Sequence, residues 1–379
     1  QEKGKGMGKG SAVASGAGES ISASPAHSAN ASEALESVRA HALQSWVHRD
    51  NTAARAKSKA FMRVLERSKV QRFRPCRGEG GEAVPMPLVT HKALFSTFAQ
   101  DKGEASPPTI RFPPAEGSNS AGSAKQQQQE KVIRYSDGIL DLLPEDEASC
   151  CQWRFASCAV VGNGGGLKHG YGAAVDRNEA VFRINHAPVQ GYEPLVGSKT
   201  TFDVVTTEHA RDLARARAMP DRGRLKGSTL LLAEAHTAEV TEGLAQDLLQ
   251  QFSPGSYYHT PTVILSPTFS AFVEKLWNAQ FDALEGIGHF DRDGLPPPSE
   301  RRRPPPEFVA VAMALQACDH LHLFGFHQYK AYFSWKQGAP VVKPFVDPAV
   351  TAAARFMIKH MAILEAGDAY RQITNHVHL

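Results

Sequence analysis

The sequence has little that would organise it by metal, by charge or by a membrane. It holds only five cysteines in 379 residues, with no Cys-x-x-C pair and no Cys/His spacing that closes a tetrahedral zinc site, so a metal scaffold is excluded and no metal is expected. Charge of one sign is also missing: Lys+Arg 42 against Asp+Glu 39 leaves a net +3, too little to argue for nucleic acid or an anionic membrane surface as partner. No apolar run approaches the roughly 18 residues that span a bilayer. The chain is therefore expected to be soluble or anchored by a segment outside this sequence. A P-loop is excluded because no Gly-Lys-Ser/Thr follows the one Gly-rich turn, and Asn163 breaks the G-x-G-x-x-G register of a dinucleotide site.

What is present is ordinary for a globular protein: 42% hydrophobic residues, 21% charged and 19 Phe, enough to bury a core. One large domain with an extension is expected. Residues 1–32 are mostly Gly, Ser, Ala and Lys and are expected to be disordered, because they cannot bury enough surface to offset ordering entropy. Asn30-Ala31-Ser32 fits a glycosylation acceptor if the chain is secreted. From Ser32 to about Val70, Leu35, Val38, Ala42, Trp46, Phe61, Val64 and Leu65 recur at helical spacing. Residues 76–131, with the run Gln126 to Gln129, have linker composition. The chain is thus read as a stem over 33–131 and a catalytic domain over 132–379.

Short apolar or β-branched runs follow: Ala159–Val161, Val181–Ile184, Phe202–Val205, Thr229–Leu232, Thr262–Leu265 and His320–Phe324. Helical stretches fall between them at Thr237–Gln251, Pro267–Leu284 with Ser266 as cap, and Phe308–Ala317. Strands alternating with helices predict an α/β fold, a Rossmann-like sheet flanked by helices.

Val160-Val161-Gly162-Asn163-Gly164-Gly165-Gly166 puts small residues directly after a buried strand. Backbone amides there could approach a phosphate, or the glycines could simply serve a tight turn with positive φ. Cys158 and Cys318 sit beside strand-like runs, where a disulfide would call for an oxidising compartment. Asp291-Arg292-Asp293 has the D-x-D form of metal-dependent glycosyltransferases, but it lies in a Gly/Pro-rich stretch and is read as a solvated loop.

The stretch Ser157 to Gly165, continued by Val175-Asp176, Val181-Phe182-Arg183-Ile184-Asn185-His186-Ala187-Pro188 and Val196-Gly197-Ser198-Lys199-Thr200-Thr201, resembles the large sialyl motif of the sialyltransferase family. Ala314-Leu315-Gln316-Ala317-Cys318-Asp319 with Leu323-Phe324-Gly325-Phe326 resembles the small motif, and His360 with Glu365 resembles the last one. The resemblance implies a GT-A-type variant of the α/β fold, a CMP-activated sugar donor, a glycan acceptor and a Cys158–Cys318 disulfide. It implies that Asn163, Gly164 and Asn185 contact CMP and that His360 is the catalytic base. It also implies a Golgi-lumenal, single-pass type II membrane protein. No pairing is implied for Cys76, Cys150 and Cys151.

Two motifs depart from the family. Where it carries Pro-Ser-Thr-Gly, this chain has Pro304-Pro305-Pro306-Glu307, which removes N–H donors and adds a carboxylate beside a phosphodiester. Where it carries His-Tyr-Tyr-Glu, the nearest segment is Ala331-Tyr332-Phe333-Ser334. His327 and Tyr332 are then the candidate donor contacts there. These departures resemble plant and algal sialyltransferase-like proteins, associated with Kdo or Dha, ulosonic acids related to sialic acid. The expected reaction is an inverting transfer to a glycan hydroxyl without a metal or other cofactor, since CMP carries less charge than a nucleoside diphosphate and histidine titrates near neutrality. The competing expectation is a catalytically silent relative that binds glycans or scaffolds a Golgi complex.

Overall fold

The computed structural model describes residues 153–215, 227–233, 262–288 and 303–326, with shorter pieces at 56, 59–61, 63, 88–92, 109–112, 131–134, 143–145, 331–332, 350, 353–358 and 373–376. Strands β1 (Thr109–Phe112) and β2 (Lys131–Arg134) pair antiparallel in a small sheet of their own. The main sheet is built from β3 (Phe155–Val161), β4 (Ala180–Ile184), β5 (Phe202–Val205), β6 (Thr229–Leu232), β7 (Thr262–Ile264), β8 (Cys318–Phe324) and β9 (Ile373–His376). Its order is β7-β6-β5-β4-β3-β8-β9, and every neighbouring pair is parallel. Between the strands lie α1 (Gly172–Asp176), α2 (Glu193–Val196), α3 (Thr207–Arg215), α4 (Pro267–Gly286) and α5 (Pro306–Ala317). This is the predicted α/β architecture; the helix expected over 237–251 lies outside the described residues.

Parallel strands are covered on both faces, so they read as continuous apolar runs rather than alternating ones. β4 is buried along its whole length. Helix α4 begins where Ser266 Oγ accepts from Phe269 N at 3.0 Å, with Pro267 following in the first turn, where a missing N–H costs nothing. Its Phe269, Val273, Trp277, Phe281 and Leu284 recur every three or four residues and are all buried, which places them on one face. Trp277 meets Phe308 of α5 edge-on at 5.1 Å. Helix α5 has no polar stripe and is buried almost throughout, as a helix packed from all sides must be.

The core also reaches further towards the N-terminus than composition indicated. Phe61, Leu88 and Val89 are fully buried in it, Val89 bridges Leu265, and Thr90 N donates to Ile264 O at 2.7 Å. Apolar residues of the region read as stem thus join the same core as the main sheet.

Candidate active site

Doubly wound sheets leave a crevice at the carboxyl edge where successive strands depart in opposite directions. Here β4 lies on one side of β3 and β8 on the other, so the crevice opens past Val161 and Phe324. Two backbones touch at this point. Gly162 N donates to Phe324 O and Gly164 N to Gly325 O, each at 2.8 Å. A Cβ on Gly162 would stand 2.8 Å from Gly325 O, and Gly325 has φ +75°, so glycine serves close approach on one strand and a left-handed turn on the other. The N–H groups of Gly162 and Gly164 are thus already donated, to the last residue of β8 and to the glycine that follows it. What the turn leaves unsatisfied is the Asn163 side chain, whose Oδ1 is buried without a hydrogen-bond partner.

Tyr332 supports that turn. Its N–H donates to Asn163 O at 3.0 Å, and Ala331 bridges Gly164. Its ring meets Tyr192 edge-on at 5.4 Å. The Tyr332 hydroxyl donates to Pro188 O. Tyr332 thereby ties the turn after β3 to the loop after β4.

β3 and β4 are parallel neighbours with Val161 opposite Arg183, so Asn163 and Asn185, each just past the end of its strand, come off the same edge of the sheet. Beyond β4 the chain reverses, with Ala187 N donating to Ile184 O at 3.3 Å and both Asn185 (φ 52°) and His186 (φ 51°) left-handed. Such a conformation costs an L-residue about 1–2 kcal/mol and persists only where neighbours hold it. Those neighbours are specific. Asn185 N donates to Val204 O at 2.9 Å, and Asn185 Oδ1 accepts from Thr206 N at 3.0 Å. Asp203 Oδ1 accepts from His186 N at 3.1 Å, and its Oδ2 lies 2.9 Å from His186 Nδ1. The Asp203 side chain is 0% exposed and that of His186 13%. Next to them, Thr206 Oγ1 lies 3.2 Å from His209 Nδ1. Burial lowers the His209 pKa, with Asp212 and Asp203 pulling it back up and His186 adding to the depression.

Other motif residues build the frame. Arg183, 1% exposed, donates through Nε to Thr200 Oγ1 at 3.0 Å and to Lys199 O at 3.1 Å. Its Nη2 reaches the carbonyls of Val196, Gly197 and Lys199 at 2.9, 3.1 and 2.8 Å. Asp176 accepts from Ser198 N and Oγ and from Lys199 N. Burial pushes its carboxyl up, but those hydrogen bonds and the Arg183 charge outweigh it, so the pKa is lowered. A carboxylate and a guanidinium thus clamp residues 196–200 from two sides.

Cys158 and Cys318 are bonded, with Cα atoms 5.9 Å apart, as the resemblance implied. Because α5 leads straight into β8 and packs back across β3 and β4, its first turn sits toward the carboxyl edge. Pro305 caps it without a side-chain hydrogen bond. Burial raises the Glu307 pKa there, against the opposing pull of its own backbone amide and of Arg355.

His360, His327, the Asp291-Arg292-Asp293 triplet and Cys76, Cys150 and Cys151 lie outside the described residues. Among the described residues no cluster of three His, Cys, Asp or Glu could hold a metal ion, and no helix is long and apolar enough to cross a membrane. The His186–Asp203 pair had no role assigned from sequence. A signal was available: an aspartate inside the apolar run Phe202-Asp203-Val204-Val205 is a buried charge that requires a partner.

The model of glycosyltransferase family 29 (sialyltransferase) matches residues 115–335, more than half of the chain. A CMP-N-acetylneuraminate-beta-galactosamide-alpha-2,3-sialyltransferase 1 of Sus scrofa is 30% identical over 197 residues, covering 52% of this chain and 50% of that protein. Its namesake of Gallus gallus is 31% identical over 170 residues, covering 45% and 43%. The chain thus spans about half the length of the curated relatives it matches. A crystal structure of a mammalian sialyltransferase aligns at a TM-score of 0.39 and 22% identity, covering 63% of this chain and 76% of that one. By the family match, which takes in both cysteines of the disulfide and both asparagines at the crevice, this chain belongs to glycosyltransferase family 29, the sialyltransferases.

Proposed function

We propose that this chain transfers an acidic sugar from its CMP-activated form to a galactoside hydroxyl, with inversion at the anomeric carbon. The observation that carries the reading is the buried, unpartnered Asn163 Oδ1 at the strand crossover. A buried polar atom left unsatisfied requires an explanation, and a nucleotide with N–H or O–H donors supplies one. Asn185 lies one strand away, and with its Oδ1 engaged by Thr206 N its amide Nδ2–H is what it offers a ligand. The relatives' names support CMP-N-acetylneuraminate as donor and a galactoside as acceptor. On this reading His360 is the base that takes the acceptor proton, and the enzyme works in the Golgi lumen behind an N-terminal anchor. Departures from the family at Pro304 to Glu307 and at Ala331 to Ser334 keep CMP-Kdo as the donor to compare.

One experiment tests activity and donor together. The full chain is incubated with CMP-sialic acid or CMP-Kdo, with and without a galactoside, and CMP release is followed. Release that depends on the galactoside, and that falls at least about tenfold in Asn163→Ala with the loss of a buried hydrogen bond, supports the reading. The silent-relative alternative draws on Pro305 and Glu307, which give the first turn of α5 no side-chain cap and a buried carboxyl. It predicts no CMP release from either donor.

A further inference from the structure

The unpartnered Asn163 Oδ1 is not alone at this edge. His186 Nε2 is also buried and without a hydrogen-bond partner, although its ring is fixed from the other side. Asp203, 0% exposed, holds Nδ1 at 2.9 Å, and its second oxygen accepts from His186 N at 3.1 Å. A carboxylate at Nδ1 keeps the proton on that nitrogen and turns Nε2 outward as the reactive position. The arrangement is maintained against the cost of two consecutive left-handed residues, Asn185 and His186, and backbone strain of this kind gathers at functional sites.

We propose that His186, oriented by Asp203, is a donor-binding residue whose Nε2 receives an anionic oxygen of the CMP-activated sugar. The inference rests on the CMP-sugar reading above and assigns one more of its contacts. His186 follows the carboxyl end of β4, and β4 is paired with β3, so His186 and Asn185 come off the sheet at the same edge as Asn163. An imidazolium set against the Asp203 carboxylate has an N–H donor at each ring nitrogen, so Nε2 can present one to the ligand. A charge-assisted hydrogen bond to an oxyanion follows, stronger than a neutral one. The other titratable ring bearing on it is that of His209, whose pKa burial lowers. The donor carries two such anions, the phosphodiester and the carboxylate of the sugar, and either chemistry fits Nε2.

The test is isothermal titration of the full-length chain with cytidine, CMP and CMP-sialic acid, for the wild type, His186→Asn and Asp203→Asn. Asparagine tolerates the left-handed backbone at position 186, so the turn survives the first substitution; the second keeps the shape of residue 203 and removes its charge. If His186 meets the phosphate, the preference for CMP over cytidine falls about tenfold or more in both variants while cytidine affinity is retained. If it meets the carboxylate, that preference stays and the preference for CMP-sialic acid over CMP falls instead. Both results support the proposal. It is overturned if neither ratio moves, or if cytidine and CMP weaken equally, the mark of a merely structural role. A wild-type chain that binds none of the three refutes the CMP-sugar reading itself, an outcome distinct from unaltered ratios in a protein that does bind.

Discussion

The Cys158–Cys318 bond ties the middle of β3 to the first residue of β8, the two strands that flank the crevice. It closes a loop of 160 residues, for which chain entropy gives about 17 cal/mol/K, or about 5 kcal/mol at 25 °C. Against a total of roughly 5–15 kcal/mol for a folded domain, that is a large share. Replacing both cysteines by alanine removes the cross-link without leaving a buried hydroxyl or a free thiol. Both side chains sit in the core at 0% and 2% exposure, so the lost sulfur contacts add to the entropy. The expected result in urea is a loss of about 2–5 kcal/mol, with a steeper transition because the denatured chain is less compact. Treating the wild type with a strong reductant should move it the same way. A double variant with an unchanged midpoint and an unchanged slope would refute the reasoning, since it would mean that the unfolded chain was not constrained by the bond.

Two further predictions follow from the same edge of the sheet. Gly162→Ala drives a Cβ to 2.8 Å from Gly325 O, and because that atom is backbone, β3 and β8 must separate. A loss of about 1–3 kcal/mol by overpacking is expected, with CMP affinity reduced alongside; calorimetric unfolding and nucleotide titration check the two effects. Glu307→Gln addresses the carboxyl whose pKa burial raises from 4.5. A carboxyl with a raised folded pKa binds protons more tightly in the native state, so stability is lost as pH rises from about 4.5 through the folded value. The glutamine variant should therefore melt higher than wild type near pH 7 and equal to it at pH 4. A gain that is the same at both pH values would show that charge is not the cause.

From the sequence alone β3 to β8 and helices α4 and α5 could be located, because each is written in short-range chemistry, whereas β1, β2 and β9 could not. Thr229 to Leu232 is a short β-branched and apolar run, Ser266-Pro267 starts α4, and Pro306 opens α5. The Cys158–Cys318 pairing came with the resemblance. The roles of individual atoms did not. That the N–H groups of Gly162 and Gly164 are consumed by β8 depends on a strand more than 150 residues away, and no local pattern carries that information. The same holds for the Tyr332 hydroxyl, which a carbonyl from the loop after β4 occupies. Burial of Leu88 in the main core was hidden by the Gly- and Pro-rich residues before it. Local sequence sets backbone preference and hydrophobic period, whereas which polar atoms remain free for a ligand is fixed by what the other strands bring to them. Only the tertiary structure therefore left Asn163 Oδ1 and His186 Nε2 buried and unpartnered at one edge.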